Sequence, residues 1–203
     1  MRKKQETQLV DRMRHAYDLA QERKYDEAIE QYRQLLASAK GHRIDSPYLL
    51  WCMAIAFDNN GDLEMAFQHI SEAMKKDPLA MPIRHSFDII ANRLRAALAD
   101  DEREANDAST PRLYELLTRA GEADVHAHLA MVRYQLATGK VDDAAVLVDA
   151  VTRLWPASED AWAAKAAVAR AAGNEEAATK AEIEAAALRT ADVAYAVPGT
   201  AQA

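Results

Sequence analysis

Three stretches of the chain place the same kinds of residue at the same distances from a central alanine, and this repetition constrains the fold more than any single motif. Around Ala66, Ala54 lies twelve residues before, Phe57 nine before, Gly61 five before, Ala73 seven after and Pro78 twelve after. Around Ala144 the matching places hold Val132, Gly139, Val151 and Pro156. Around Ala28 they hold Ala16, Leu19 and Leu35, with Tyr32 four after. The anchors are 38 and 78 residues apart, and the larger gap is close to two repeats. A chain that repeats in this way stacks similar units, each burying its apolar face against its neighbours.

The repeated unit is helical. Apolar residues recur every three or four positions, most clearly at Ile83, Phe87, Ile90, Leu94 and Ala97, which mark one face of a long helix. No segment sustains a period of two, so no strand is expected. Residues 161–188 hold 14 alanines in 28, and alanine loses no side-chain entropy in a helix. Gly41, Gly61, Gly121, Gly139 and Gly173 each follow an apolar-periodic segment, where a left-handed cap is needed. Pro47, Pro82 and Pro111 open helical patterns, with Ser46 and Thr110 as N-caps. Helices are expected over most of residues 6–188.

The pattern resembles the tetratricopeptide repeat (TPR), a helix–turn–helix unit of about 34 residues. The matching stretches are KYDEAIEQY at 24–32, GDLEMAF…EAMKKDP at 61–78 and GKVDDAAVLVDAV…P at 139–156, with the Trp162, Ala166 and Gly173 spacing. The resemblance implies an all-α, right-handed superhelical solenoid of four to five antiparallel helix pairs. Its units fall at about 9–42, 47–80, 81–121, 123–156 and 158–188, in a single domain over 1–189. Small residues such as Ala54 and Ala66 let paired helices approach closely, while Phe57 and Tyr32 fill the space between units. Ala66 is therefore expected to be fully buried, and Ala164 to lie on a more exposed face. The third unit departs most, with a long first helix, the acidic stretch Asp100 to Glu104 and a late second helix. The last unit reads as one residue short between Gly173 and Ala177, with Glu184 where a small residue belongs. Residues 190–203 read as a disordered tail.

The residues that carry chemistry are sparse. The net charge of −7 argues against nucleic-acid binding, which relies on Lys and Arg. No apolar run is long enough for a secretory signal or a membrane span, and Cys52 is the single cysteine, so the reading is cytoplasmic. Alanine and arginine richness suits a bacterial chain. His126 and His128 point about 200° apart on a helix and cannot share a metal. Cys52 sits in the apolar run LLWCMAIAF, where a thiol stays protonated. The pairs Asp100-Asp101 and Asp142-Asp143 read as solvated helix ends. No catalytic residue, cofactor or metal is expected.

What remains is a surface. In proteins of the TPR class, one edge of each first helix lines a concave groove. The resemblance puts Met13, Tyr17, Trp51, Ile55, Asn59, His85, Ile89, Asn92, Arg93, Leu129 and Arg133 on that edge. Apolar anchors with amides and charges suit a peptide. Trp51 has a second reading as a core residue, one position away in register. Some relatives grip a C-terminal carboxylate with Lys and Asn, but the matching positions here hold Met13, Tyr17 and Cys52, none a charge-assisted donor. The expected function is a non-catalytic scaffold or adaptor for another protein. The alternative is a structural module that pairs with itself into a homodimer through exposed helical faces.

Overall fold

The computed structural model describes residues 2–41, 46–100 and 104–196, and the secondary structure there is helix without a strand. In chain order the helices are α1 (Arg2–Gln21), α2 (Tyr25–Gly41), α3 (Pro47–Asn59), α4 (Leu63–Lys76), α5 (Met81–Ala99), α6 (Thr110–Ala120), α7 (Val125–Ala137), α8 (Val141–Leu154), α9 (Glu159–Ala171) and α10 (Glu175–Ala196). Helix α1 starts earlier than the sequence pattern indicates. Helix α10 runs through residues 190–196, so that part of the expected disordered tail is helical, and 197–203 lie outside the described residues. Asp101 to Arg103 of the acidic stretch also lie outside them.

The chain divides into two compact units, Met1–Leu94 and Arg95–Ala203. The boundary falls inside α5, in the third repeat, where the pattern is least regular. The other helix pairs are joined by three-residue turns, but Asp100 to Ser109 separate α5 from α6.

In the first unit α1 packs on α2, α2 on α3 and α3 on α4. Ala54 and Ala66 are both fully buried, which lets α3 and α4 come close. Leu50, Phe57, Phe67 and Ile70 fill the space around them, each fully buried apolar side chain contributing roughly 1.5–3 kcal/mol. The start of α5 joins this core through Ile83 and Phe87, whose ring lies 5.6 Å from that of Phe67. Helix α3 begins at Ser46, whose side chain accepts from the Leu49 N–H as expected of an N-cap.

In the second unit α6 packs on α7, α7 on α8 and on α9, α8 on α9, and α9 on α10. Val132, Ala144, Val148 and Val168 form one core cluster; Leu129, Val151 and Ala161 form another. Ala164 packs against both clusters and is half-buried, more exposed than the fully buried Ala66. Thr110 is buried inside the first turn of α6, and Ser109 takes the N-cap position, held by Asp107.

One position recurs in the turns. Gly61, Gly139 and Gly173 have φ of +85°, +75° and +74°, and the same place in the first turn holds Arg23 at +63°. A left-handed residue here stops the first helix so the chain can reverse. Gly121 at +76° ends α6 in the same way, whereas Gly41 is the last residue of α2. The last unit is not short. Its anchor is Ala178, fully buried five residues after Gly173, and Ala185 rather than Glu184 takes the small position. Ala166 lies twelve residues before that anchor and is also buried, restoring the repeat at 34 residues from Ala144.

Candidate functional site

In the first unit, two contacts tie α3 to α5. The Trp51 indole Nε1 donates to Ser86 Oγ at 2.8 Å. The Arg93 guanidinium Nη1 lies 2.5 Å from Asp58 Oδ1. Both join residues 35 apart and run in the same direction, so α3 and α5 are parallel neighbours displaced by one repeat. Ile55 and Ile89 fall between the two contacts. Ile55 is half-buried and Ile89 is 43% exposed.

Trp51 is itself half-buried, with its ring edge-on to Tyr48 at 6.1 Å. Its polar atom is engaged by the neighbouring helix, so much of the side chain serves packing. Asn59, His85 and Asn92 are exposed on the same two helices. On α1, Met13 is half-buried and Tyr17 exposed. Cys52 turns inward toward Tyr32. Burial raises the Cys52 thiol above its ordinary pKa, although the bond from Tyr32 pulls the other way. Burial likewise pushes the Tyr32 hydroxyl well above its ordinary value, with Cys52 adding to the shift. Burial therefore favours the thiol over the thiolate at the half-buried Cys52.

In the second unit, the faces of α7 and α9 enclose a cleft of about 570 Å³. Helix α7 contributes His126, Leu129 and Arg133; α9 contributes Asp160, Ala163 and Ala164; Ala99 closes one side. Leu129 is 6% exposed and packs against Val151 and Ala161, so it is floor and core together rather than a free anchor. Leu129 and Ala161 share one core cluster, and Val132 and Val168, further along both helices, share the other, so α7 and α9 also run parallel. His126, Arg133 and Asp160 are exposed, and among the described residues none of these side chains makes a hydrogen bond or ion pair.

Nine of the sequence-derived groove residues therefore lie in the first unit, and Leu129 and Arg133 lie in the cleft of the second. The sequence reading missed His126, Asp160, Ala99, Ala163 and Ala164. The signal was present: Asp160 stands 34 residues after His126, and Ala163 stands 34 after Leu129. Among the described residues no group of His, Cys, Asp or Glu is arranged to hold a metal, and no helix is long and apolar enough to cross a membrane.

No family model matches the chain, and no curated protein matches it. Among solved structures it is similar to the crystal structure of a MamA protein, at 12% identity over 95% of this chain and 97% of that one, with a TM-score of 0.48. It is also similar to MamA from Desulfovibrio magneticus RS-1, at 14% identity over 90% and 96% of the two chains, with a TM-score of 0.41. A third similar structure is the TPR2AB domain of yeast Sti1 in complex with pHSP90, at 14% identity over 92% and 81%, with a TM-score of 0.39.

Proposed function

We propose that the chain is a non-catalytic scaffold that receives a segment of another protein on the faces of its first helices. The α7–α9 cleft carries this reading. Its volume falls within the roughly 300–1,000 Å³ typical of binding pockets. Its floor is apolar and its rim carries polar groups with no partner among the described residues, the combination that holds a peptide side chain and its neighbours.

Panning a random linear peptide library on the purified chain tests the proposal. The selected peptides should bind the chain at least about tenfold more tightly than Ala163→Leu, a variant that fills the cleft from an exposed position. Failure to enrich peptides, or equal binding to the filled variant, would remove the reading. Light scattering over a concentration series separates it from self-association: a scaffold of this kind stays monomeric without its partner.

A further inference from the structure

We infer that the α7–α9 cleft selects a segment in which a bulky apolar side chain stands between an acidic and a basic residue. The inference rests on the scaffold reading and names the chemistry of the partner segment. Along α7, His126, Leu129 and Arg133 follow one another at spacings of three and four, so they form one stripe. Along α9, Ala163 and Ala164 stand three and four residues after Asp160, on the same face. Because the two helices are parallel and one repeat apart, Asp160 stands level with His126, and Ala163 with Leu129. Arg133 lies seven residues further along than that first level.

The charges are thus at opposite ends of the cleft, about 10 Å apart along the helix axis at 1.5 Å per residue. They are too far apart to pair, and nothing else in the described chain pairs with them. Between them the methyl groups of Ala99, Ala163 and Ala164 leave room above Leu129 that a larger side chain can fill. An occupant that satisfies all three regions puts a carboxylate at Arg133, an apolar side chain on the alanine floor and a cation at Asp160. The two charges also lie on different helices, whose axes pack about 8–10 Å apart, so an extended segment, at about 3.3 Å per residue, joins them over about four positions, with the apolar side chain midway on the same face.

The test uses the full chain and peptides selected from the random linear library, with affinities read by fluorescence anisotropy. The enriched peptides should share an acidic and a basic residue about four apart with a bulky apolar one midway between them. Arg133→Glu should weaken them about tenfold or more, and exchanging the peptide's acidic residue for Lys should recover much of the loss. Asp160→Lys should act on the basic residue in the same way. Both effects should shrink at high salt, because the two side chains are exposed. Circular dichroism should match the parent, since neither residue has a partner to lose.

Peptides that compete at the cleft and are blocked by Ala163→Leu, yet ignore Arg133→Glu and Asp160→Lys, overturn this inference and leave the scaffold reading standing. Peptides that carry no charge pattern do the same. No enrichment, or no effect of Ala163→Leu, overturns both.

Discussion

The α3–α5 face of the first unit and the α7–α9 face of the second are built on the same plan and have reached opposite states. Both are parallel first helices one repeat apart, with apolar residues between polar ones. On α3–α5 two of the polar groups are engaged by the neighbouring helix: Trp51 donates to Ser86, and Arg93 sits on Asp58. On α7–α9, Arg133, His126 and Asp160 have no partner in the described chain, and small alanines leave a cleft where the other face has Trp51, Ile55 and Ile89. A polar residue on a groove edge is therefore no sign of a binding site until its internal partners are counted. The first face uses Trp51 and Arg93 for contacts between its helices; the second leaves Arg133, His126 and Asp160 without a partner among the described residues.

The contrast breaks most readily at Trp51. Trp51→Ala should destabilise the first unit by about 2–3 kcal/mol, read as a shift in the urea midpoint, because it removes a half-buried ring and leaves Ser86 without its donor. A variant of unchanged stability would show that the α3–α5 face is open after all. Next in size is overpacking. Ala66→Leu should destabilise by about 1–3 kcal/mol, since Ala66 is fully buried between α3 and α4. Ala163→Leu points into the cleft and should stay within about 0.5 kcal/mol of the parent. Equal losses at the two sites would mean that the cleft is no more open than a core.

The turns offer a smaller contrast. Gly61→Ala should cost about 1 kcal/mol although the space around it is open, because a Cβ is strained at φ +85°. Arg23→Gly, at the same place in the first turn, should be neutral or stabilising by up to about 1 kcal/mol. A destabilised Arg23→Gly would show that the Arg23 side chain has a role that its backbone does not reveal.

Acid should also distinguish the units. His69 stacks on Phe57 at 5.4 Å, and burial lowers its pKa below the ordinary 6.5. Glu72 and Asp62 pull the value back up, while Arg33 pushes it down. The unfolded chain then binds the proton more readily, so stability is full above about pH 6.5 and falls as pH drops through the depressed folded value. Comparing urea midpoints at about pH 7 and pH 5.5 should show a loss that is smaller in His69→Asn. The same loss in both proteins would place the sensitivity elsewhere. The smallest effect concerns the exposed charges. Arg93→Ala should lose at most about 1 kcal/mol, since its guanidinium is 49% exposed, and Arg133→Ala should lose nothing measurable.

Much of this molecule was legible as spacing. The alanine anchors, the glycines five residues before them and the 3–4 apolar period locate the helices and the tight contacts, because these depend on neighbours in the same unit. The misreadings have local causes. The choice of Ala177 over Ala178 arose in a run of alanines, where composition cannot tell a buried methyl from an exposed one. Arg23 was unreadable as a cap because arginine carries no signal for a left-handed backbone.

What the sequence by itself determined is the repeat: that the chain is helical over most of its length, where the turns at Gly61, Gly139 and Gly173 fall, and that Ala66 and Ala144 are buried at its anchors. Periodicity settles these, since a helix fixes the face of every residue relative to its neighbours. What only the tertiary structure decided is which polar residues on the first-helix faces are spent. Ser86 lies 35 residues from Trp51, and Asp58 lies 35 from Arg93; the contacts form only once α5 is laid beside α3. The cleft likewise exists only because α9 is set beside α7 with alanines facing Leu129. Hydrogen bonds and empty volume depend on side-chain positions in three dimensions, and no one-dimensional pattern reports whether a neighbour one repeat away has filled the space.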